Sequence, residues 1–150
     1  MNLIKADLWE CEGVLCITTN GFLRANGRAV MGAGVAKQAT QLIPGIDREL
    51  GRRLYKTGNN VYRIAGPDHR VYFDRSVLSF PVKHNWYETA DLDLIRESAE
   101  QLSVVMDKHS ELDFFLVKPG CGNGGLTWSV VEDTLDPVLG RHTNLFIVDR

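Results

Sequence analysis

The chain has few cysteines and no long hydrophobic run, and these two features limit the classes of protein to which it can belong. Its three cysteines, Cys11, Cys16 and Cys121, form neither an even framework nor the paired spacing of a zinc site, and its four histidines are scattered. We therefore predict free thiols, no disulfide and no metal, although a bond between Cys11 and Cys16 is sterically conceivable. No run approaches the roughly 18 apolar residues of a membrane span, and the amino terminus lacks a basic segment before an apolar core. We therefore expect a cytoplasmic protein that does not enter membranes.

Charge of neither sign dominates the composition. The formal net charge is -2, with 24% charged and 44% hydrophobic residues, which gives no global electrostatic attraction to nucleic acid. A chain of 150 residues can bury a substantial core but has no room for two domains of ordinary size. We therefore expect one globular domain over residues 1–150, acting as a monomer and without a cofactor.

Apolar runs alternate with amphipathic runs along the chain. The run Val14-Leu15-Cys16-Ile17 has no polar interruption, as expected for a strand covered on both faces. After residue 91 the apolar residues follow the spacing of a helix laid on a sheet, with Thr89 as its expected N-cap. This alternation predicts a three-layer α/β/α sandwich with a central sheet. The predicted strands span residues 3–8, 14–18, 61–65, 71–73, 77–82, 114–118 and 145–148, with 66–70 as a hairpin connection, and the predicted helices span 35–42, 47–56, 91–106 and 128–139.

Four glycines lie in the segment Gly120-Cys121-Gly122-Asn123-Gly124-Gly125, between an apolar run and an amphipathic run. Glycine lets the backbone approach an anion closely, and the first turn of a following helix adds unpaired N–H groups and a positive dipole end. Hydrogen bonds to a charged group contribute roughly 1.5 to 3 kcal/mol each, against about 0.3 to 1 kcal/mol for the dipole, so converging N–H donors would dominate. The segment therefore predicts a phosphate-bearing ligand. The alternative is a turn that serves only tight packing.

The spacing of Gly120, Gly122 and Gly125 also fits the dinucleotide fingerprint G-x-G-x-x-G, and Asp149 ends the next strand, where a ribose-binding acid is expected. A dinucleotide fold, however, carries this fingerprint in its first strand-to-helix turn and builds several strands after it. Only one predicted strand follows here, so we do not expect a Rossmann dehydrogenase.

A second glycine cluster, Met31-Gly32-Ala33-Gly34-Val35-Ala36-Lys37, opens another predicted helix. If the two glycine loops face each other at the carboxyl ends of their strands, they would clamp a diphosphate from both sides. Neither loop is followed by G-K-[ST], which excludes a P-loop NTPase. The alternative for Gly32 and Gly34 is close packing of a helix on a strand.

These segments together resemble a macro domain. The resemblance is carried by Asp7 in Ala-Asp-Leu, Ile17-Thr18-Thr19-Asn20, residues 30–36 and residues 120–128. Within that family, Phe80-Pro81-Val82-Lys83-His84-Asn85-Trp86 is similar to the branch of the DNA ADP-ribosyl glycohydrolase antitoxins and the terminal ADP-ribose protein glycohydrolases. The resemblance implies a mixed sheet between helices, with ADP-ribose in a cleft across the strand ends.

The resemblance also assigns ligand-binding residues. It implies that the Asp7 carboxylate accepts from the adenine amino group, beside the backbone of Asp7 and Leu8, and that Asn20 or Asn26 contacts the distal ribose. From the residues alone, Asp7 would be an exposed carboxylate at the strand end or a turn cap, and Asn20 would be a turn residue before Gly21. The implied phosphate loops comprise Gly32, Ala33, Gly34 and Val35 in the first, and Gly120, Gly122, Asn123, Gly124, Gly125 and Leu126 in the second.

Lys83 is the catalytic residue that the resemblance implies. A lysine at this place attacks the anomeric carbon of the distal ribose and gives an imine-type adduct that water resolves, which requires a neutral amine. Phe80, Val82 and Trp86 are the apolar neighbours that could exclude water from it, with His84 adjacent. Alternatively, Lys83 stays charged and binds phosphate.

Two details bear on the chemistry. Relatives that pair the lysine with an acid carry an aspartate in the second loop, where this chain has Asn123-Gly124-Gly125. Cys121 suggests a different nucleophile, a thiolate at a helix amino terminus, but the sequence places no histidine beside it.

The resemblance implies a hydrolase that releases ADP-ribose from an ADP-ribosylated protein, nucleic-acid end or small molecule. Two alternatives stay open: a phosphatase acting on ADP-ribose 1″-phosphate, and a noncatalytic reader or sponge of ADP-ribose.

Overall fold

The computed structural model describes residues 1–150, and six strands form one sheet in the order β1-β6-β5-β2-β4-β3. All neighbouring strands are parallel except β3, which runs antiparallel to β4 at one edge. The mixed sheet between helices confirms the predicted α/β class. The strands are β1 (Asn2–Lys5), β2 (Val14–Asn20), β3 (Arg63–Ala65), β4 (Val77–Lys83), β5 (Phe114–Val117) and β6 (Leu145–Asp149), and the helices are α1 (Gly34–Leu42), α2 (Ile46–Thr57), α3 (Leu92–Lys108) and α4 (Trp128–Leu139).

Each face of the sheet carries its own hydrophobic core. Cys16 of the central strand β2 packs into the core beneath α3 and α4, whereas Leu15 and Ile17 pack into the core beneath α1 and α2. These three side chains are fully buried, as their uninterrupted apolar run predicts. Burying a side chain of this size contributes about 1.5–3 kcal/mol to the stability of the fold. The central strands therefore hold the residues at their carboxyl ends in fixed positions.

The topology places a crevice between β2 and β5. The chain leaves β2 for α1 on one face and then continues to β4, whereas it leaves β5 for α4 on the other face and then continues to β6. Where two parallel neighbours send their connections to opposite faces, the connections separate, and ligands of open α/β sheets bind at that point. Both glycine clusters lie in these two connections.

The predicted hairpin at residues 61–73 is wrong. Residues 71–73 form no strand, and only an isolated bridge joins Gly66 to Tyr72. The antiparallel partner of β3 is β4, so residues 71–73 belong to the connection between these two strands and do not form a strand of their own. Instead, His69 Nδ1 accepts from the Val71 N–H at 3.0 Å, and His69 Nε2 lies 3.4 Å from the buried carboxylate of Glu49 on α2.

Two further boundaries differ from the predictions. The first strand ends at Lys5, because Asp7 Oδ1 accepts from the Trp9 N–H at 3.0 Å and starts a 3₁₀ turn over Leu8–Glu10. The N-cap of α3 is Asp91 and not Thr89, since the Asp91 carboxylate accepts from the N–H groups of the first helical turn at 2.9 and 3.4 Å. A carboxylate at an N-cap also interacts favourably with the helix dipole.

The three cysteines are free thiols, as predicted, and burial raises the pKa of Cys16. None of the helices combines the length and the apolar character that crossing a membrane requires.

Candidate functional site

A cleft of about 790 Å³ lies over the carboxyl ends of the five parallel strands. This volume falls in the range of small-molecule sites, roughly 300–1,000 Å³. Residues at or just after the end of each parallel strand line the cleft, which is why the side chains predicted from distant parts of the sequence meet here. The predicted residues that line it are Asp7, Leu8, Asn20, Gly32, Ala33, Gly34, Val35, Lys83, Gly120, Gly122, Asn123 and Gly124.

The first glycine loop leads directly into α1. Gly32 and Gly34 have φ values of +59° and +66°, a region that strains any residue with a side chain. The N–H groups of Gly32 and Ala33 donate to no acceptor in the chain, and the N-cap of α1, Ala33, supplies no capping side chain. This loop therefore presents unpaired N–H groups and a helix amino terminus to the cleft, which is a suitable environment for a phosphate.

The second glycine loop reaches the cleft through a 3₁₀ turn over Gly122–Gly124. The N–H groups of Gly122 and Asn123 have no acceptor in the chain, whereas the next three donate within the loop. Gly124 donates to the Cys121 carbonyl at 3.5 Å, and Gly125 and Leu126 donate to the Gly122 and Gly120 carbonyls, both at 3.0 Å. Gly125 and Leu126 do not line the cleft, and Leu126 packs against the core beneath α3 and α4. The geometry therefore does not support the binding role predicted for these two residues, because their N–H groups already donate to carbonyls within the loop.

The two loops face each other across the cleft. A Cβ built on Gly34 would lie 4.0 Å from Nδ2 of Asn123. From a third side, Lys83 Nζ donates to the Asn123 carbonyl at 3.2 Å. The unpaired N–H groups of both loops thus border one groove, as a diphosphate clamp requires.

Asp7 lies at one end of the cleft and has two partners. Its Oδ1 caps the 3₁₀ turn, and its Oδ2 lies 3.4 Å from Nη2 of Arg150. The turn-cap interpretation is therefore correct, but the side chain is also 35% exposed and lines the cleft. Arg150 and Gln38, which accepts from the Trp9 indole at 2.9 Å, are cleft residues that the sequence analysis missed. Nothing in the local sequence marks Gln38, because tertiary packing brings it there, whereas the place of Arg150 directly after β6 could have marked it.

Asn20 lines the cleft, whereas Asn26 does not. The Asn20 side chain is 6% exposed; its Oδ1 accepts from the Phe22 N–H at 2.9 Å and its Nδ2 donates to the Val30 carbonyl at 2.8 Å. These bonds close the loop between β2 and α1 and leave one Nδ2 hydrogen for a ligand. Asn26 instead accepts from the Arg28 N–H.

Lys83 ends β4 opposite the second glycine loop. Its Nζ donates to the carbonyls of Trp86 at 3.3 Å and Asn123 at 3.2 Å, and none of the ion pairs of the structure includes it. Val82 and Trp86 line the cleft beside it, but Phe80 is fully buried in the core and cannot shield the amine. Trp86 is 52% exposed, so the lysine is open to solvent on that side.

His84 is not a partner of Lys83. Its Nε2 lies 3.0 Å from Oδ2 of Asp91. Burial acts against ionisation of Asp91, but the hydrogen bonds from His84 and from the first turn of α3 outweigh it and lower the pKa of that carboxyl. The pair therefore fixes the start of α3 and the loop that carries Trp86.

Cys121 and Lys118 are the remaining reactive side chains of the cleft. Burial raises the pKa of Cys121, against the lowering effect of the nearby Lys118, which opposes a thiolate nucleophile. Lys118 was missed by the sequence analysis, although its place directly after β5 could have marked it. Its Nζ lies 3.0 Å from Asp149 Oδ2 and 5.3 Å from the centre of the Trp128 ring, so it is held at the wall of the cleft.

Together these features define an α/β protein with a cleft between two glycine loops that present unpaired N–H groups to it. The macrodomain of Thermus aquaticus DarG shares this fold with a TM-score of 0.77 and 22% identity, over 99% of this chain and 97% of that chain. Thermosipho africanus DarTG, solved in complex with ADP-ribose, gives a TM-score of 0.80 and 20% identity, over 97% of this chain and 40% of that chain. A macrodomain protein from Streptomyces coelicolor gives 0.67 and 18%, over 99% and 98%.

The chain therefore has the macrodomain fold, and the predicted resemblance is confirmed at that level. The similarity extends to the DarG macrodomains, including that of Mycobacterium tuberculosis at a TM-score of 0.75 and 22% identity, over 98% of this chain and 95% of that chain. No family model and no curated protein matches the sequence.

Proposed function

We propose that this protein binds ADP-ribose in the cleft and hydrolyses the bond between the distal ribose and an acceptor. The observation that carries the proposal is the pair of glycine loops, whose unpaired N–H groups border one groove from opposite sides. A single phosphate would need one such loop, whereas a diphosphate uses both. The fold shared with a protein solved in complex with ADP-ribose supports this ligand over other diphosphates.

The residues of the cleft suggest how the ligand lies. Asp7 and Leu8 border the end suited to adenine, because a carboxylate oxygen and backbone groups can pair with its amino group and ring nitrogens. The diphosphate lies between Gly32–Val35 and Gly122–Gly124. The distal ribose then reaches Asn20, whose free Nδ2 hydrogen can donate to a hydroxyl, and its anomeric carbon faces Lys83.

Lys83 supplies the nucleophile in this proposal. The neutral amine forms a bond to the anomeric carbon while the bond from that carbon to the acceptor breaks, and the acceptor leaves with a proton. Opening of the ribose ring gives the imine, water adds to its carbon, and release of the amine yields ADP-ribose. For this to happen Nζ must leave the Trp86 and Asn123 carbonyls, to which it donates in this structure.

The first experiment measures binding and turnover separately. Calorimetric titration with ADP-ribose, beside ADP and NAD, tests the ligand, and incubation with ADP-ribosylated protein, ADP-ribosylated DNA and ADP-ribose 1″-phosphate tests the reaction. We expect ADP-ribose to bind more tightly than ADP and ADP-ribose to be released from at least one of the two ADP-ribosylated polymers. Absence of ADP-ribose binding would refute the proposal.

Lys83 is tested with two substitutions and a control. Lys83→Ala should retain ADP-ribose binding and lose turnover by at least about 100-fold, the lower end for a catalytic proton-transfer or nucleophilic group. Lys83→Arg keeps the charge but cannot form the adduct, so it should be equally inactive, and borohydride should trap an ADP-ribose adduct on the unaltered protein only. Lys56→Ala, which changes an exposed lysine at the end of α2, should change neither property. Full turnover by Lys83→Arg would show that Lys83 acts through its positive charge and not as a nucleophile.

A noncatalytic reader is the second candidate, and one observation favours it. No carboxylate pairs with Lys83, and both groups that its Nζ contacts are carbonyls, which accept from an ammonium group. If ADP-ribose binds and no ADP-ribosylated substrate is turned over, this candidate replaces the hydrolase.

A further inference from the structure

The turn after β1 carries the Asp7 end of the cleft. Asp7 and Leu8 line the cleft, and the 3₁₀ turn Leu8–Glu10 ends at Cys11. Within the turn, the Glu10 N–H donates to the Asp7 carbonyl at 3.0 Å and the Cys11 N–H donates to the Leu8 carbonyl at 3.1 Å. Hydrogen bonds of a 3₁₀ turn have poorer geometry than those of an α-helix. The position of this turn therefore depends on contacts from other parts of the chain.

Arg75, in the connection between β3 and β4, supplies such a contact. Its Nη1 donates to the Trp9 carbonyl at 2.6 Å and to the Cys11 carbonyl at 2.9 Å. The last carbonyls of a helical turn have no partner within the turn, and a cationic side chain is a suitable donor to them. The Arg75 side chain is 18% exposed, so water competes little for these two hydrogen bonds.

The guanidinium group of Arg75 is itself fixed by its neighbours. Its Nε lies 3.1 Å from Asp74 Oδ1, and its central carbon lies 5.1 Å from the centre of the Phe73 ring, within the range of a cation–π interaction. Phe73 in turn packs edge-on against Trp9, with 6.0 Å between the ring centres. Arg75 and Phe73 therefore contact the same turn, one through hydrogen bonds and the other through its ring.

The other side of the turn contacts α1. The Trp9 indole N–H donates to Gln38 Oε1 at 2.9 Å, and Gln38 lies on α1 and lines the cleft. Arg75 does not line the cleft, and neither do Phe73 and Asp74. Any effect of Arg75 on a bound ligand must therefore act through the turn that it holds.

We propose that Arg75 is a positioning residue for recognition of the nucleobase. Its two hydrogen bonds hold the turn so that the Asp7 carboxylate and the Leu8 backbone meet the base. The inference rests on the proposed function, in which adenine lies at Asp7, and adds to it a residue outside the cleft. Because Arg75 hydrogen-bonds to the turn and not to either glycine loop, its loss weakens recognition of the base and leaves the diphosphate site intact.

The test compares, by calorimetry, ADP-ribose with the analogue in which hypoxanthine replaces adenine. Hypoxanthine has a carbonyl in place of the amino group, so it cannot donate to Asp7 from that position. We expect the unaltered protein to bind ADP-ribose about tenfold tighter than the analogue, as one charge-assisted hydrogen bond provides. Both ligands carry the same charge, so the ratio of their affinities reports the base contact and not a change in the charge of the protein.

Three substitutions separate positioning from a general effect. Arg75→Met keeps an apolar stem beside Phe73 but removes both donors. It should weaken ADP-ribose binding about tenfold, leave binding of the analogue within about twofold, and bring the ratio of affinities close to one. Arg75→Lys keeps the charge and a donor, so its ratio should lie between those of Arg75→Met and the unaltered protein. Arg96→Met is the matched control, because Arg96 is exposed beside Asp93 on α3 and does not line the cleft; it should keep the full ratio.

The possible outcomes distinguish this inference from the proposed function. An unchanged ratio in a folded Arg75→Met protein, or an equal loss of affinity for both ligands, would overturn this inference alone. Equal binding of the two ligands by the unaltered protein would overturn it too, because the turn would then not select the base. Circular dichroism verifies the fold, and if Arg75→Met does not fold, an undiminished ratio in Arg75→Lys is the contradicting result. If neither ligand binds to the unaltered protein, the proposed function fails and this inference fails with it.

Discussion

The two glycine loops carry similar sequence signals but meet the cleft differently. The first loop continues straight into α1, so Ala33, Gly34 and Val35 bring a helix amino terminus to the cleft. The second loop inserts a 3₁₀ turn and three more residues before α4 begins at Trp128. This loop therefore brings the N–H groups of a turn to the cleft, and α4 does not line it. A glycine-rich connection between a strand and a helix therefore predicts an anion site, but it does not predict which backbone N–H groups face that site.

The glycines within the second loop also differ from one another. A Cβ on Gly120 would lie 2.8 Å from Ile95 Cδ1 and 3.1 Å from Ala90 Cβ, whereas a Cβ on Gly122 would meet nothing within 4 Å. Both residues have positive φ, +76° and +68°. Gly120 is thus required for packing as well as conformation, and Gly122 for conformation and access to the cleft.

The largest effect should come from Gly120→Ala. Positive φ costs roughly 1–2 kcal/mol for a residue with a side chain, and overpacking a well-packed core costs about 1–3 kcal/mol. We expect a loss of about 2–5 kcal/mol in the free energy of unfolding, measured by urea denaturation. Gly122→Ala carries the conformational cost alone and should lose about 1–2 kcal/mol. Equal losses in the two variants would show that the packing of Gly120 is not tight.

A second pair of substitutions compares the loops as ligand sites. Gly34→Ala and Gly122→Ala both disturb a backbone whose N–H groups face the cleft, so each should weaken ADP-ribose binding about tenfold or more. Leu126→Ala is the control, because Leu126 contacts the core and not the cleft. It should lower stability and leave the affinity unchanged. Calorimetry measures the affinity of each variant for ADP-ribose. A loss of affinity in Leu126→Ala would support the sequence-based prediction that Leu126 belongs to the ligand-binding part of the second loop.

Much of this architecture is predictable from local patterns. The continuous apolar run of β2 predicts a strand buried on both faces, and the spacing after residue 91 predicts α3. One error arose where a long-range contact decided the local structure, and the other where two neighbouring side chains competed for one cap position. Residues 71–73 have strand character, but β3 takes β4 as its antiparallel partner, and Thr89 loses the cap position because Asp91 accepts two N–H groups.

The site was predictable where its residues lie in glycine clusters or directly after a strand. Gln38 was missed because the tertiary fold alone brings it to the Asp7 end of the cleft, whereas Arg150 directly follows β6 and carried the same signal as Lys118. Phe80 shows the opposite error: its sequence position near Lys83 suggested shielding, but alternation along β4 directs it into the core. Proximity in a strand is therefore a poor guide to proximity in a site.

The smallest effect is expected at Cys121, which only the second loop contains. Burial raises its pKa, and alkylation requires the thiolate. Its reaction with iodoacetamide, followed by mass spectrometry, should therefore be slow at pH 7 and reach half its maximal rate at a pH above the ordinary pKa of a cysteine thiol. Cys121→Ser should accordingly change turnover by less than about twofold, since a nucleophile of this kind must be ionised near neutral pH. A midpoint below pH 8 together with an inactive Cys121→Ser variant would identify Cys121, and not Lys83, as the nucleophile. The two loops would then differ in chemistry as well as in geometry.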